Sequence, residues 1–138
     1  MSIIYELSDR ITVNIDDIKF KVSPLSYAQK SEIQDLAEKC TQTREMRYMR
    51  EAAFKAVQFA VKGVTGLTRP NGDIFELEMD NGILSEKSVD ALLNIRMVDK
   101  LATVCTSLVN GISGKVFDEN GKPLEGVSFE ESTEEKKQ

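Results

Sequence analysis

The sequence contains no histidine and no tryptophan. Histidine is the only side chain whose ordinary pKa lies near neutral pH, and it is the commonest metal ligand in proteins. Its absence excludes serine–histidine and cysteine–histidine catalysis, and also histidine-based metal sites. The closest approach to a phosphate-binding loop, at Gly114 and Gly121, has the wrong spacing, and Pro123 stands where a magnesium-binding hydroxyl is required. We therefore expect a protein that is not an enzyme and that holds neither a cofactor nor a metal ion.

Cysteine is scarce, with only Cys40 and Cys105, and long apolar runs are missing. A free cysteine packs like a small hydrophobic side chain, so we expect both to be reduced and structural. No run approaches the roughly 20 apolar residues that cross a bilayer. The opening residues MSIIYELSDR lack the basic and then apolar segments of a secretion signal. We therefore expect no contact with a membrane and a protein that stays in the compartment where it is made.

Positive charge is outnumbered, because 18 Lys and Arg residues face 23 Asp and Glu residues, for a formal net charge of −5. This balance argues against general nucleic-acid binding. Arg44, Arg47 and Arg50 nevertheless cluster in one predicted helix, and a basic helix face can bind phosphate backbones. In an acidic chain the favoured interpretation is a solvated or salt-bridged face. An acidic protein partner is the second alternative, and nucleic acid is the third.

Two short runs near the start of the chain, Ile11–Ile15 and Ile18–Val22, alternate apolar and polar residues as half-buried strands do. Asp16 and Asp17 lie between them and suit a turn. The two runs therefore predict an antiparallel hairpin with its apolar side chains on one face.

Two helices are predicted from their start signals. Ser26 and Gln29 form a capping box, which satisfies two free amides reciprocally and predicts a helix over residues 27 to about 39. Ser85 is a suitable N-cap for a longer helix over residues 86–110, whose apolar residues recur at spacings of three and four.

The central helix is predicted over residues 44–64, where apolar side chains recur at helical spacing and polar residues are rare in the middle. Thr43 is the predicted N-cap, and Gly63 or Gly66 is the predicted end. A helix that is apolar over most of its circumference must be covered on several sides. We therefore expect this helix to lie at the centre of a small three-helix bundle.

A short strand is predicted over residues 74–79, with residues 67–68 as its candidate partner. Glu76, Glu78 and Asp80 would project from one face of that strand. Three carboxylates at this spacing could hold a divalent cation, but the same spacing is what a solvated strand face requires. We favour the solvated face.

The composition changes after residue 111. Residues 115–117 and 127–129 suit two strands, and Asn120–Gly121 suits the turn between them, which predicts a C-terminal β-hairpin. The charged residues at the end lack large apolar side chains and are predicted to be disordered.

The fold class that follows is α+β. It comprises an N-terminal antiparallel β-hairpin, a bundle of three main helices, a short strand insertion and a C-terminal β-hairpin. The predicted organisation is a mainly helical core domain over residues 1–111, a hairpin extension over residues 112–129 and a disordered tail over residues 130–138.

Methionines on predicted helices are the candidate partner-binding residues. Met46, Met49 and Met97 could line an adaptable groove for a partner helix, although core packing is the favoured alternative. Met46 and Met49 lie near the end of their helix, where a core thins, so they are the better candidates.

Three stretches occur in an order that resembles a known family. They are a hairpin running into a helix, ITVNIDDIKFKVSPLSYAQKSEI, an alanine- and valine-rich helix, AAFKAVQFAVKGVTGL, and an acidic strand before a capped helix, NGDIFELEMDNGILSEKSVDALL. Together they cover about residues 10–95, and this order resembles the tail assembly chaperones of long-tailed bacteriophages. The C-terminal hairpin and the charged tail lie outside the resemblance.

The resemblance implies a non-enzymatic factor in the cytoplasm of an infected bacterium. Such a factor binds the long tape-measure protein, keeps it soluble, helps recruit the tail-tube protein and is absent from the finished particle. A tape-measure protein exposes long apolar helix stripes that a helical protein with an apolar groove could cover. We expect Met46, Met49 and Phe54 as contacts, with Arg47 and Arg50 as a polar rim.

Two other functions are compatible with the same sequence. The first is a structural virion protein of the phage tail or head–tail junction, which would be found in purified particles. The second is a bacterial regulatory or adaptor protein that uses the basic helix for nucleic acid, for which steep salt dependence of DNA binding would be diagnostic. The oligomeric state is left open by the sequence.

Overall fold

The fold is an antiparallel sheet packed against helices, as given by a computed structural model that describes residues 4–111, 116–117 and 120–130. The elements are, in chain order, β1 (Ile11–Ile15), β2 (Ile18–Val22), α1 (Tyr27–Thr43), α2 (Met46–Ala60), β3 (Val61–Thr65), β4 (Met79–Asp80), β5 (Ile83–Leu84), α3 (Glu86–Leu92), α4 (Val98–Ser107), a 3-10 turn (Leu108–Asn110) and β6 (Val127–Phe129). The main sheet has the strand order β3-β2-β1-β6, with every neighbouring pair antiparallel. The α+β fold class predicted from the sequence is confirmed.

The N-terminal hairpin forms as its alternation predicts. β1 and β2 pair from Ile11 opposite Val22 to Ile15 opposite Ile18. Their inward side chains are buried and join the helices in one hydrophobic core, while the intervening side chains are more exposed. Asp16 has a φ of 55°, the left-handed conformation that a tight turn requires and that aspartate tolerates better than most residues.

The first helix starts where predicted but runs one turn further. The Ser26 hydroxyl accepts the amide of Gln29 at 3.1 Å, and the Gln29 side chain accepts the amide of Ser26 at 2.9 Å. The helix continues to Thr43 and ends at Arg44, which has a φ of 62°. The prediction of Thr43 as N-cap of the next helix is therefore wrong, because Thr43 still belongs to α1.

The central helix is shorter than predicted, because it ends at Ala60 instead of Val64. Residues 61–65 form strand β3 and pair with β2. Val61 and Val22 lie opposite each other and are wholly buried. Valine and threonine fit a pleated sheet well, and pairing with the open edge of β2 overrides the helical spacing that the sequence suggested.

The predicted long third helix is two helices, α3 and α4, joined by residues 93–97. In one continuous helix the stripe of Val89 and Leu92 would be rotated by roughly 120° from the stripe of Leu101 and Val104, at about 100° per residue. The break lets both stripes face the same core, and all four side chains are buried. Asn94 assists the break, because its side chain donates to the carbonyl of Asp90 at 3.0 Å.

The C-terminal part differs from the prediction in its pairing. Strand β6 pairs with β1 of the main sheet, and among the described residues of the predicted partner strand neither Val116 nor Phe117 pairs with it. The turn at Asn120–Gly121 instead closes a smaller loop, in which Phe117 bridges to Pro123. The predicted division of the chain at residues 111 and 129 stays a prediction. The predicted disordered tail covers residues 130–138, but Glu130 contacts the sheet, because its amide donates to the carbonyl of Thr12 at 2.9 Å and its carboxylate pairs with Lys19. The rest of that tail, residues 131–138, lies outside the described residues.

The inserted segment contains less strand than predicted. Thr68 and Ile74 form one isolated antiparallel bridge, so residues 67–68 are the partner that was predicted for residues 74–79. In this segment regular strand pairing is confined to β4 and β5. Most of residues 74–79 is therefore extended chain without a ladder.

Candidate functional site

The N-terminal half of α2 exposes two large apolar side chains on one helix. The first buried residue of this helix is Ala52, and its last five residues are all buried. Met46 is 59% exposed and Met49 is 39% exposed, so neither is a core residue. Both share one helix face with Arg50 and Ala53, because these positions are three or four residues apart.

An open groove of about 520 Å³ separates this helix face from α4. Its α2 wall is formed by Met49 and Ala53, and its other wall is formed by α4, the 3-10 turn and Phe117. The described lining residues are Met49, Ala53, Ala102, Thr103, Thr106, Ser107, Asn110 and Phe117. We call this the α2–α4 groove. None of these lining residues carries a charge.

The hydroxyl groups in the α2–α4 groove are already engaged by the backbone of their own helix. The Thr103 hydroxyl donates to the carbonyl of Asp99 at 2.8 Å, and that of Thr106 donates to the carbonyl of Ala102 at 2.7 Å. The Ser107 hydroxyl donates to the carbonyl of Val104 at 2.6 Å. These hydroxyls therefore have no free hydrogen to donate into the groove, whose exposed lining is mainly apolar.

The rim of the groove is large and adaptable, whereas its floor is small. Met49 and Phe117 project from the two walls, and Phe117 is 50% exposed. Ala53 and Ala102 are the smallest side chains of the lining. Methionine has three rotatable bonds and a polarisable sulfur, so it adjusts to side chains of different shape. The groove can accept a large apolar side chain from outside.

The arginines around this surface differ in their partners. The Arg47 Nε lies 2.8 Å from Glu45 Oε1, and a second nitrogen of Arg47 donates to the Tyr48 hydroxyl at 2.8 Å. Among the described residues, Arg50 forms no ion pair or hydrogen bond through its side chain and is exposed. Arg50 is therefore the available positive charge on the face that carries Met46 and Met49.

The structure brings together only some of the residues that the sequence suggested. Met49 lines the α2–α4 groove, and Met46 and Arg50 flank it on the same helix face. Phe54 packs against the core and lies outside the lining, as does the half-buried Met97. A contact role for Phe54 and a rim role for Arg47 stay predictions.

The sequence missed the second wall of the groove. The sequence predicts a hairpin at Phe117 and indicates no contact role for the small and hydroxyl residues of α4. Their spacing is the available signal, because Ala102, Thr106 and Asn110 recur every four residues along one side of the predicted helix over residues 86–110.

The remaining candidate groups supply no reactive site. Within the described residues, His, Cys, Asp and Glu form no group of three placed to hold a metal ion. Cys40 and Cys105 are free and buried, as predicted. Burial raises the pKa of the Cys105 thiol to about 12, so it remains protonated and unreactive near neutral pH.

Comparisons with protein-family models, with curated proteins and with solved structures found no match for this chain. Across residues 4–111, 116–117 and 120–130, no helix is both long enough and apolar enough to cross a membrane. The α2–α4 groove and the resemblance carried by residues 10–95 are therefore the observations that bear on the function.

Proposed function

We propose that this protein is a tail assembly chaperone of a long-tailed bacteriophage. It binds the tape-measure protein, keeps it soluble and helps to recruit the tail-tube protein, without enzymatic activity, in the cytoplasm of the infected bacterium. The observation that carries the proposal is the exposed pair Met46 and Met49 beside the uncharged α2–α4 groove. The resemblance of residues 10–95 supplies the identity of the partner.

The physical basis is the covering of apolar helix stripes. A long helical protein whose stripes await burial would aggregate unless another protein shields them. A groove between two helices accepts the apolar face of a third helix, and flexible methionines tolerate variation along its sequence. A contact surface of this small size favours weak, reversible binding, which an assembly factor needs because it must later be displaced.

The first experiment replaces Met46 and Met49 together with serine. We expect binding of the tape-measure protein in co-expression pull-downs to fall at least about tenfold, because two apolar contacts are lost. The Tm should fall by no more than about 4 °C, since each exposed helix position loses only a few tenths of a kcal/mol. The measurements are the recovered partner and a thermal melt.

Met79→Ser is the matched control. Met79 is 45% exposed, like the two methionines of α2, but it lies in β4 and outside the groove lining. We expect this variant to bind normally. Equal loss of binding in the control and the double variant would contradict the proposal, as would unfolding of the double variant.

Recovery from infected cells separates the proposal from its main alternative. We expect the tagged chain to copurify with one very long helical protein and to be absent from mature particles. A stoichiometric amount in purified particles would instead make it a structural protein of the tail or head–tail junction.

A further inference from the structure

We infer that the α2–α4 groove takes one chemical class of segment, an amphipathic helix of two to three turns that carries carboxylates beside its apolar stripe. This inference rests on the proposed function and specifies which part of the partner is bound. Three features of the site support it: the helical backbones of the groove walls, the length of the α4 wall and the positive charge of Arg50.

The bound segment must be helical because of its backbone. The walls of the groove are mainly helices, whose amides and carbonyls are engaged within each helix, and the hydroxyls of Thr103, Thr106 and Ser107 are engaged as well. An extended peptide would bury some of its backbone groups against this wall, where Asn110 is the remaining polar side chain, and each buried group left unpaired costs about 1–3 kcal/mol. A helix satisfies its backbone internally and therefore presents only side chains.

The length of the segment follows from the α4 wall. The lining runs from Ala102 to Asn110. At about 1.5 Å per residue this wall is about 12 Å long, which matches two to three turns of a partner helix. One or two large apolar side chains, spaced three or four residues apart, would enter the space between Met49 and Phe117.

The charge of the segment follows from Arg50. Two neighbouring cations of α2 are paired, Arg47 with Glu45 and Lys55 with Glu32 at 3.4 Å. Arg50 has no such partner among the described residues and shares the face of Met46 and Ala53. Glu51 does not share that face, because no residue of the face lies three or four positions away from it along α2. A carboxylate on the incoming helix would therefore meet an unneutralised guanidinium.

Three synthetic helical peptides test the inference directly. They share one leucine stripe of three turns and differ only in their flanking residues, which are Glu, Gln or Lys. We expect fluorescence anisotropy at low salt to give binding of the Glu peptide at least about tenfold tighter than the Lys peptide. The difference should shrink at high ionic strength, because exposed charges are then screened.

Variants and mapping locate the interaction. Arg50→Glu should reverse the order of the Glu and Lys peptides, whereas Arg96→Glu, at an exposed arginine outside the groove lining, should preserve it. Amide NMR shifts on adding the Glu peptide should concentrate at Ala53, Thr103 and Thr106. Shifts confined to other elements, or an unchanged order in Arg50→Glu, would overturn the inference.

The outcomes separate this inference from the proposed function. Equal affinity for all three peptides, or no binding of any of them, overturns the inference while capture of the tape-measure protein would still support the chaperone role. Selective binding of the Glu peptide by a protein that does not capture the tape-measure protein supports the inference and overturns the chaperone role.

Discussion

Lys100 on α4 and Asp16 in the β1–β2 turn form an ion pair, with 2.9 Å between Nζ and Oδ1. The amide of Asp16 also donates to the carbonyl of Gly126 at 2.7 Å, just before β6. Three parts of the chain that are distant in sequence therefore meet at Asp16. Gly126 has a φ of 76°, and a Cβ at that position would overlap Asp16 Oδ1 and lie 3.0 Å from Lys100 Nζ.

Gly126→Ala should destabilise the protein because it combines a left-handed backbone with this overlap. We expect the free energy of unfolding to fall by about 2–3 kcal/mol, measured by urea denaturation. The matched control is Gly121→Ala, which has a φ of 80° and open space around the position. The control should lose only about 1 kcal/mol, the cost of the backbone conformation itself. Equal losses would mean that Asp16 and Lys100 move aside without cost.

Gln58→Ala should destabilise the core. Gln58 is 7% exposed, and its Nε2 donates to the carbonyl of Leu84 at 3.0 Å, which ties α2 to β5. Removing the amide leaves a buried carbonyl without a donor, so we expect a loss of about 1–3 kcal/mol in the free energy of unfolding. Gln34→Ala on the exposed side of α1 is the control and should change it by less than about 0.5 kcal/mol.

The attachment of β6 should weaken in acid. Hydrogen bonds from Lys19, at 3.0 Å, and Asn14, at 3.1 Å, lower the pKa of Glu130 from its ordinary value of 4.5. A carboxylate whose folded pKa is depressed stabilises the fold above its unfolded pKa, and that contribution is lost as the pH falls through the folded pKa. We therefore expect the amide NMR signals of residues 127–129 to shift towards unpaired positions as the pH falls below 4.5.

Glu130→Gln is the control for this titration. The variant cannot ionise, so its residues 127–129 should show little response over the same acidic range. A response as large as that of the parent protein would assign the titration to another carboxylate.

Cys105 should remain unreactive until the protein unfolds. A thiol reagent at pH 8 should label neither cysteine in the native protein and both in urea, because only the thiolate reacts and both side chains are buried.

The raised pKa of Cys105, about 12 against an ordinary 9.0, should also make the free energy of unfolding depend on pH in the alkaline range. The Cys105 thiol loses its proton above pH 9 in the unfolded chain, whereas it stays protonated in the folded chain. Its contribution to the free energy of unfolding is therefore lost as the pH rises from 9 towards 12.

Cys105→Ala isolates that contribution. Its stability should decline less steeply than that of the parent protein between pH 9 and pH 11 in urea titrations. Parallel declines would show that other groups account for the alkaline response.

Local signals were sufficient where neighbours in sequence decide the structure. The alternation of residues 11–22 and the capping box of Ser26 and Gln29 are satisfied within a few residues, so both appear as predicted. The predicted end of α2 is wrong because β3 forms by pairing with β2, which lies about 40 residues earlier in the chain. The break between α3 and α4 is not predicted, because spacings of three and four continue across it even though the apolar stripe changes its direction around the helix.

The candidate site shows the same limit. The exposure of Met46 and Met49 follows from their place near a helix end, which the sequence reveals. The opposite wall depends on how α4 crosses α2 and on where the loop places Phe117. Those relations arise only when the core assembles, so neither periodicity nor composition could supply them.

The position of β6 beside β1 also governs the order of folding. Asn14 and Glu130, which meet across these strands, are 116 residues apart in sequence. Closing so long a loop is slow compared with forming the adjacent β1–β2 hairpin. During refolding the outer edge of β1 should therefore stay open until the final step, and that interval is when strand pairing between two molecules competes with completion of the sheet.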